Sequence, residues 1–150
     1  MDAAKKIPER IIFPKGEKIA GENIANDHFT GTVWLQVLVQ PDSTFNCPVF
    51  GVTFEPGARN SWHSHPGGQV LLVTGGSGYY QEWGRKARLI REGDVVTIHP
   101  DVKHWHGAAP DHWLSHIAIS TNAERGDAVW LEPVKDEEDP VINTGYEIRV

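Results

Sequence analysis

The sequence predicts an all-β protein, an antiparallel sandwich or barrel of short strands. Three observations predict it. Runs rich in β-branched and aromatic residues recur at intervals of about ten residues, each closed by turn residues. Fifteen glycines and ten prolines stand against a single methionine, a composition that favours many turns. No segment carries a sustained helical stripe between caps.

Taken in order, residues 1–28 are polar and irregular and read as an arm. The run 32–39 is β-branched and aromatic, and Pro41 and Asp42 end it. The run 49–54 is closed by Glu55, Pro56 and Gly57, a turn tripeptide. Residues 70–74 are almost continuously apolar and read as a strand buried on both faces. The glycine run 75–78 after them reads as a tight hairpin, with the next strand over 79–83. Strands over 87–90, 94–98 and 112–120 follow, and a short helical turn is expected near 121–125, before Gly126. The acidic run 136–139 reads as a solvated segment of the tail.

A length of 150 residues fits one domain with a core of its own. The formal charge of −6 argues against nucleic acid and anionic membrane as partners. A single cysteine, Cys47, excludes an intramolecular disulfide and any zinc site built on two thiolates. Flanked by Pro48 and with no activating neighbour in sequence, it reads as inert. No apolar run is long enough to span a membrane, and residues 1–18 lack the apolar centre of a secretory signal, so a cytoplasmic location is expected. Phosphate-loop, zinc-protease and nucleophile-elbow motifs are absent, and the glycines at 75–78 do not complete a dinucleotide fingerprint.

The chemistry lies in the histidines. Seven of the eight fall between His63 and His116. On a strand, residues two apart share a face, so His63 and His65 project together, with Trp62 and Ser64 opposite. Gln69 lies across the Pro66-Gly67-Gly68 turn, where a returning strand can aim its carbonyl oxygen at the same point. His104 and His106 repeat the alternation some forty residues on. Three imidazoles and one amide oxygen meeting at one spot make a metal site with open positions, the arrangement of catalytic coordination.

At these residues the chain resembles the cupin superfamily. The pattern Gly57-x5-His63-x-His65-x3-Gln69-x6-Gly76, followed by Gly93 and His104, is similar to the two cupin motifs over roughly residues 50–120. The resemblance implies a double-stranded β-helix, or jelly-roll barrel, with a core over about 32–120, the arm 1–28 before it and a segment 121–150 after it. It also implies His63, His65, Gln69 and His104 as metal ligands. Gln69 stands where cupins usually carry glutamate. A neutral amide leaves the ion its full double charge, making it a stronger Lewis acid held less firmly. The second motif also departs, with His99, Asp101 and Ala108 in place of proline, glycine and asparagine. The stretch from Lys103 to Pro110 resembles a subset of small bacterial cupins that includes manganese-dependent hydroxynitrile lyases and relatives accompanying carboxymuconolactone decarboxylase-like proteins.

That resemblance points to manganese or iron in function, with zinc, nickel or copper able to occupy the site on purification. His106 and His116 are the acid–base candidates, and the other reading of each is a ring that orients a ligand or simply packs. Phe50 and Val52 are expected near the metal, and Ala118 and Ser120 on the cavity face of the strand that His116 begins. Arg59 and Asn60 stand just before the ligands, where they could meet an anionic substrate or form a loop ion pair. His28, His99 and His112 have no motif partner and read as surface or loop residues. Three functions follow: a lyase in which the metal acts as Lewis acid and a histidine moves a proton, an Fe(II)-type dioxygenase, and a non-enzymatic metal- or ligand-binding module. All three take a small molecule as partner. A homodimer is expected, with Val33-Trp34-Leu35 and residues 146–150 as interface candidates.

Overall fold

The computed structural model describes residues 15–135 and the backbone of Glu147–Ile148. Among these residues lie β1 (Glu17–Ala20), β2 (Phe29–Thr30), β3 (Val33–Val39), β4 (Val49–Phe54), β5 (Arg59–Asn60), β6 (His63–Ser64) and β7 (Gln69–Glu82). They continue with β8 (Arg88–Arg91), β9 (Val95–Ile98), β10 (His104–Ala108), β11 (Leu114–Ser120), β12 (Val129–Trp130) and β13 (Glu147–Ile148). The helical turn expected near 121–125 is a 3-10 turn over Ala123–Arg125. No helix among the described residues is long and apolar enough to cross a membrane.

The strands form a nearly closed all-β barrel. One face runs β1-β3-β4-β11-β7, with β9 on the far side of β7. The other joins β8, β7, β10, β5 and β2, with β6 bridging β10 and β12. All these pairings are antiparallel; β13 alone runs parallel to its neighbour, β8. β1 and β2 fall within the arm that the sequence reads as irregular. Strands of four and two residues are too short to print a periodicity. The acidic run 136–139 lies outside the described residues.

β7 departs most from the sequence reading. Residues 75–78 make no hairpin: a single strand of fourteen residues passes through them, pairing with β11 and β9 in its first half and with β10 and β8 in its second. Opposite Ser115 and His116 the register skips Thr74, a bulge that turns β7 from one face of the barrel into the other. The glycines are there for close approach. Gly76 has φ +73°, and a Cβ on it would stand 1.8 Å from the Trp113 carbonyl oxygen. A Cβ on Gly78 would stand 2.0 Å from that of Gly107. The first half of β7 also alternates between buried and half-buried residues, where burial on both faces is the sequence reading. Gly76→Ala is therefore expected to destabilise the fold by about 3 kcal/mol or more, from positive φ and backbone collision together. In a thermal melt that is a fall of roughly 6–12 °C; a fall within the scatter of surface substitutions would restore the hairpin reading.

Alternation places the site. Inside the barrel, Phe54, Leu71, Tyr80, Ile90, Val96 and Leu114 form the main core. On β10, Trp105 turns the opposite way from His104 and His106 and packs with Trp62, Tyr79, Ala87, Ala109 and Val134 in a second cluster. Its indole N–H donates to Gln81 Oε1 at 2.8 Å. The two tryptophans anchor the outer face of the strands that carry the histidines, which is why those rings point inward. Of the interface candidates, Val33 is buried in the protein's own core and Leu35 faces the cavity. Trp34 is covered by Lys15 and Lys18 and donates its N–H to Glu55 at 2.7 Å. Residues 146, 149 and 150 lie outside the described residues.

Candidate metal centre and cavity

Backbone pairing brings the two histidine pairs together. His104 on β10 is the register partner of His63 on β6, and their rings stand 4.2 Å apart between centroids. Each ring is oriented by its own strand. His63 Nδ1 donates to the Ser61 carbonyl and His104 Nδ1 to the Val102 carbonyl, both at 2.8 Å. A carbonyl only accepts, so Nδ1 carries the proton and Nε2 keeps its lone pair, the tautomer a metal ligand needs.

His65 follows β6 and its ring lies 5.0 Å from that of His63 and 5.6 Å from that of His104. Gln69 opens β7 and is buried at 6% exposure. The turn between them is tied down from the C-terminal side, where Thr121 Oγ1 and Asn122 Nδ2 both donate to the Gly67 carbonyl, at 2.8 and 3.0 Å. Three buried atoms of these residues have no partner at full hydrogen-bond distance: His65 Nε2, Gln69 Oε1 and His104 Nε2. Buried polar atoms are almost always paired, and all three can present lone pairs. Two imidazole lone pairs and an amide oxygen are donors that a divalent cation takes, so the chemistry of the set fits such a metal.

The structure also brings His106 closer than the sequence motif implies. Ligand atoms of His63, His104 and His106 lie within 4.8 Å of one another, a three-histidine site able to hold a metal ion. His106 in turn meets His116, whose Nε2 is 3.1 Å from His106 Nδ1. Burial is the first cause of low basicity throughout. It pushes His65, His104 and His116 down to about 4, and holds His63 and His106 well below the usual imidazole range with help from neighbouring rings. In His65 the Gln69 side chain opposes the effect; in His63 and His104 the carbonyl bonds do. The cluster is neutral near pH 7, as ligands and a proton acceptor must be.

Beside the histidines lies a cavity of about 280 Å³. Phe50, Val52 and Phe54 of β4 line it, with Leu35, Phe29 and Trp130. His116, Ala118 and Ser120 share the cavity face of β11, because His116 pairs with Val52 and Ala118 with Phe50. His63, His65, Gln69 and His106 also reach the cavity wall; His104, fully buried, sits behind it. Among the described residues no lysine or arginine lines the space, and the one carboxylate there is Asp127. Arg59 turns away, donating to the Val134 carbonyl at 3.1 Å, so it does not greet an anionic substrate. Asn60 does line the cavity and bonds to His106, not in a loop ion pair. His28, His99 and His112 are exposed.

Trp130 is the wall residue the sequence does not announce. Its ring stacks on His63 at 4.7 Å and on His28 at 4.1 Å, since β12 pairs it with His63. The only trace in sequence is an apolar run of four, Ala128-Val129-Trp130-Leu131, in a polar segment.

Fold and site together define a small all-β barrel whose interior holds a histidine-built, metal-type centre beside an apolar chamber. The family model for the cupin domain matches residues 50–116. The (R)-mandelonitrile lyase of Granulicella tundricola is 44% identical over 123 residues, covering 82% of this chain and 93% of that protein. The chain belongs to the cupin family. A crystal structure of a cupin-like protein from Thermotoga maritima superposes with a TM-score of 0.81 at 51% identity, covering 91% of this chain and 99% of the other. A cupin-2 domain from Rhodospirillum rubrum shares the fold at 18% identity, with a TM-score of 0.68 and coverage of 94% and 97%.

Proposed function

We propose that this protein is a metal-dependent lyase of small, neutral, cyanohydrin-type substrates, with His63, His65, Gln69 and His104 as the ligands of manganese or iron. The observation that carries the reading is the adjacency of buried, unpaired ligand atoms on His65, Gln69 and His104 to a largely apolar cavity that two further histidines, His106 and His116, also line. The 44% identity to a mandelonitrile lyase supports it. A bound divalent cation supplies Lewis-acid polarisation of a substrate oxygen. Phe50, Val52, Phe54 and Trp130 enclose the apolar part of the substrate and exclude water. His106 accepts the hydroxyl proton; the carbon–carbon bond breaks, its electron pair leaving with cyanide and a carbonyl forming at the substrate carbon. The proton then passes from His106 to cyanide, which departs as hydrogen cyanide. His116 orients the His106 ring through their 3.1 Å contact.

A second ligand set has its own observation, the grouping of His63, His104 and His106. Metal content of a His65→Ala variant separates the two: loss favours the first set, retention the second. For the reaction, an anaerobic assay of manganese- and iron-loaded protein with an aromatic cyanohydrin is expected to yield aldehyde and cyanide in equal amounts. In that assay His106→Ala is expected to lose about 10²–10⁴-fold in rate. A strict need for oxygen, with oxygen consumed, would replace the lyase with a dioxygenase. We also propose a homodimer, which β1, an edge strand among the described residues, supports; light scattering should give twice the chain mass of 16.7 kDa.

A further inference from the structure

Two of the candidate ligands are aimed by their own strands, and two are not. His63 and His104 hold their rings on carbonyls two residues back. Among the described residues no carbonyl holds the His65 ring, and the side chain it meets is that of Gln69. The aim of both therefore depends on the backbone between them, Pro66-Gly67-Gly68. Beyond the proline ring, that turn has no side chain to anchor it. Gly67 and Gly68 are buried, and Gly68 has φ +85°.

The anchor comes from residues 121 and 122. Gly67 packs so closely on them that a Cβ would stand 2.1 Å from the Thr121 carbonyl oxygen and 2.4 Å from that of Asn122. Its own carbonyl accepts from Thr121 Oγ1 at 2.8 Å and from Asn122 Nδ2 at 3.0 Å, which fills both lone pairs. Asn122 donates from a left-handed backbone, φ 48°, a conformation that asparagine tolerates. Holding a carbonyl holds the plane of its peptide, here the one between two glycines, the softest joint of the turn. The Thr121 N–H adds a bond to the Gly68 carbonyl at 3.3 Å. On the turn's other side, the His65 carbonyl accepts from the N–H groups of Gly68 and Asp101, both at 3.0 Å. The segment that supplies the two side chains buries nothing in its 3-10 turn, so its grip lies at its ends. At the far end β12 pairs with His63 and Ser64. Residues 121–130 thus bracket the run that carries His63, His65 and Gln69.

We infer that Thr121 and Asn122 are positioning residues of the metal centre. Through the Gly67 carbonyl they fix the turn that sets His65 and Gln69 relative to each other. The role rests on reading those two residues as ligands; it does not rest on the lyase reaction.

Cobalt(II), whose visible absorption changes with the donors around it, tests this in the full-length protein, together with the rate at which a chelator strips it. Thr121→Val/Asn122→Gly removes both donors while sparing the backbone, since valine matches threonine in shape and glycine takes φ 48° without strain. The double variant is expected to release cobalt about 10–100-fold faster than native protein. Its spectrum at saturating cobalt should also differ, which a loss of general stability alone would not bring. Thr121→Ser keeps the hydroxyl, and Glu124→Ala lies exposed on the same segment; both are expected to match native protein. A double variant with native spectrum and release, beside a His65→Ala variant that loses the metal, would overturn the inference and leave the ligand set standing. A His65→Ala variant that keeps cobalt with the native spectrum removes the ligand set and the inference together. Thr121→Ser as leaky as the double variant would overturn the role of the hydroxyl. The expected cobalt results in a protein inactive toward cyanohydrins support the inference and remove only the lyase reading.

Discussion

Native protein supplemented with manganese or iron and then desalted is expected to retain close to one ion per chain, and a His63→Ala/His104→Ala variant none. The two rings face each other across the β6–β10 pair, and each has its Nδ1 proton bound to a carbonyl at 2.8 Å. Neither needs to rotate or change tautomer to present Nε2. Both belong to either ligand set, so the result does not depend on whether His65 and Gln69 or His106 complete the coordination. Removing them takes away the donors themselves. The loss of affinity should therefore exceed the roughly 100-fold that removing an outer hydrogen-bonding partner brings. Circular dichroism keeps the comparison fair, because both side chains are also packed in the core. Gln69→Glu is the complementary change: a carboxylate at that position lowers the net charge of the occupied site, and the ion should withstand a chelator longer. Metal contents equal in native and double-variant protein, or absent from both, would reduce the histidine cluster to packing.

Where pattern and spacing print a signal, the sequence and the structure agree. β4 runs over Val49–Phe54 as its alternation reads, and His63, His65 and Gln69 all reach the wall of one cavity, with strand periodicity and a Pro-Gly-Gly turn between them. β7 shows the limit. Glycines at 75–78 look like a turn to any local reading, and only the approach of the Trp113 and Gly107 carbonyls, from strands distant in the chain, explains them. Asn60 and Trp130 mark the same limit at the site. An amide beside an arginine says nothing of a bond to a histidine 46 residues away, and a two-residue strand has no period to read. The departures at His99 and Asp101 fall in a loop, so they leave the placement of His104 untouched. Motif spacing reports contacts made along a strand; it is silent on partners that the barrel brings in from across the sheet.

Stability of the metal-free protein is expected to fall as pH drops from about 6.5 to about 4, above the range where carboxylates usually govern acid unfolding. Burial holds His65, His104 and His116 down to about 4, against about 6.5 in an unfolded chain. Above pH 6.5 neither state binds a proton at these rings, and stability is complete. Below it the unfolded chain takes up protons that the folded chain refuses, so each histidine favours unfolding until pH reaches its folded value. The full effect is roughly 3 kcal/mol for each of the three, against a typical total stability of about 5–15 kcal/mol. His63 and His106, lowered in the same direction, steepen the fall. The carboxylates Asp42, Asp111 and Glu132 have lowered pKa values and lie at the surface, so their contribution is lost only at still lower pH. Urea unfolding at successive pH values should show a free energy falling by roughly 1.4 kcal/mol per pH unit for each histidine titrating in the window. His116→Gln should flatten the slope by one proton's worth. Loading with metal should move the fall to lower pH, because bound imidazoles resist protonation until the ion leaves. A free energy constant down to pH 4, or a slope that metal and His116→Gln leave unchanged, would show that the rings are far better solvated than their burial implies.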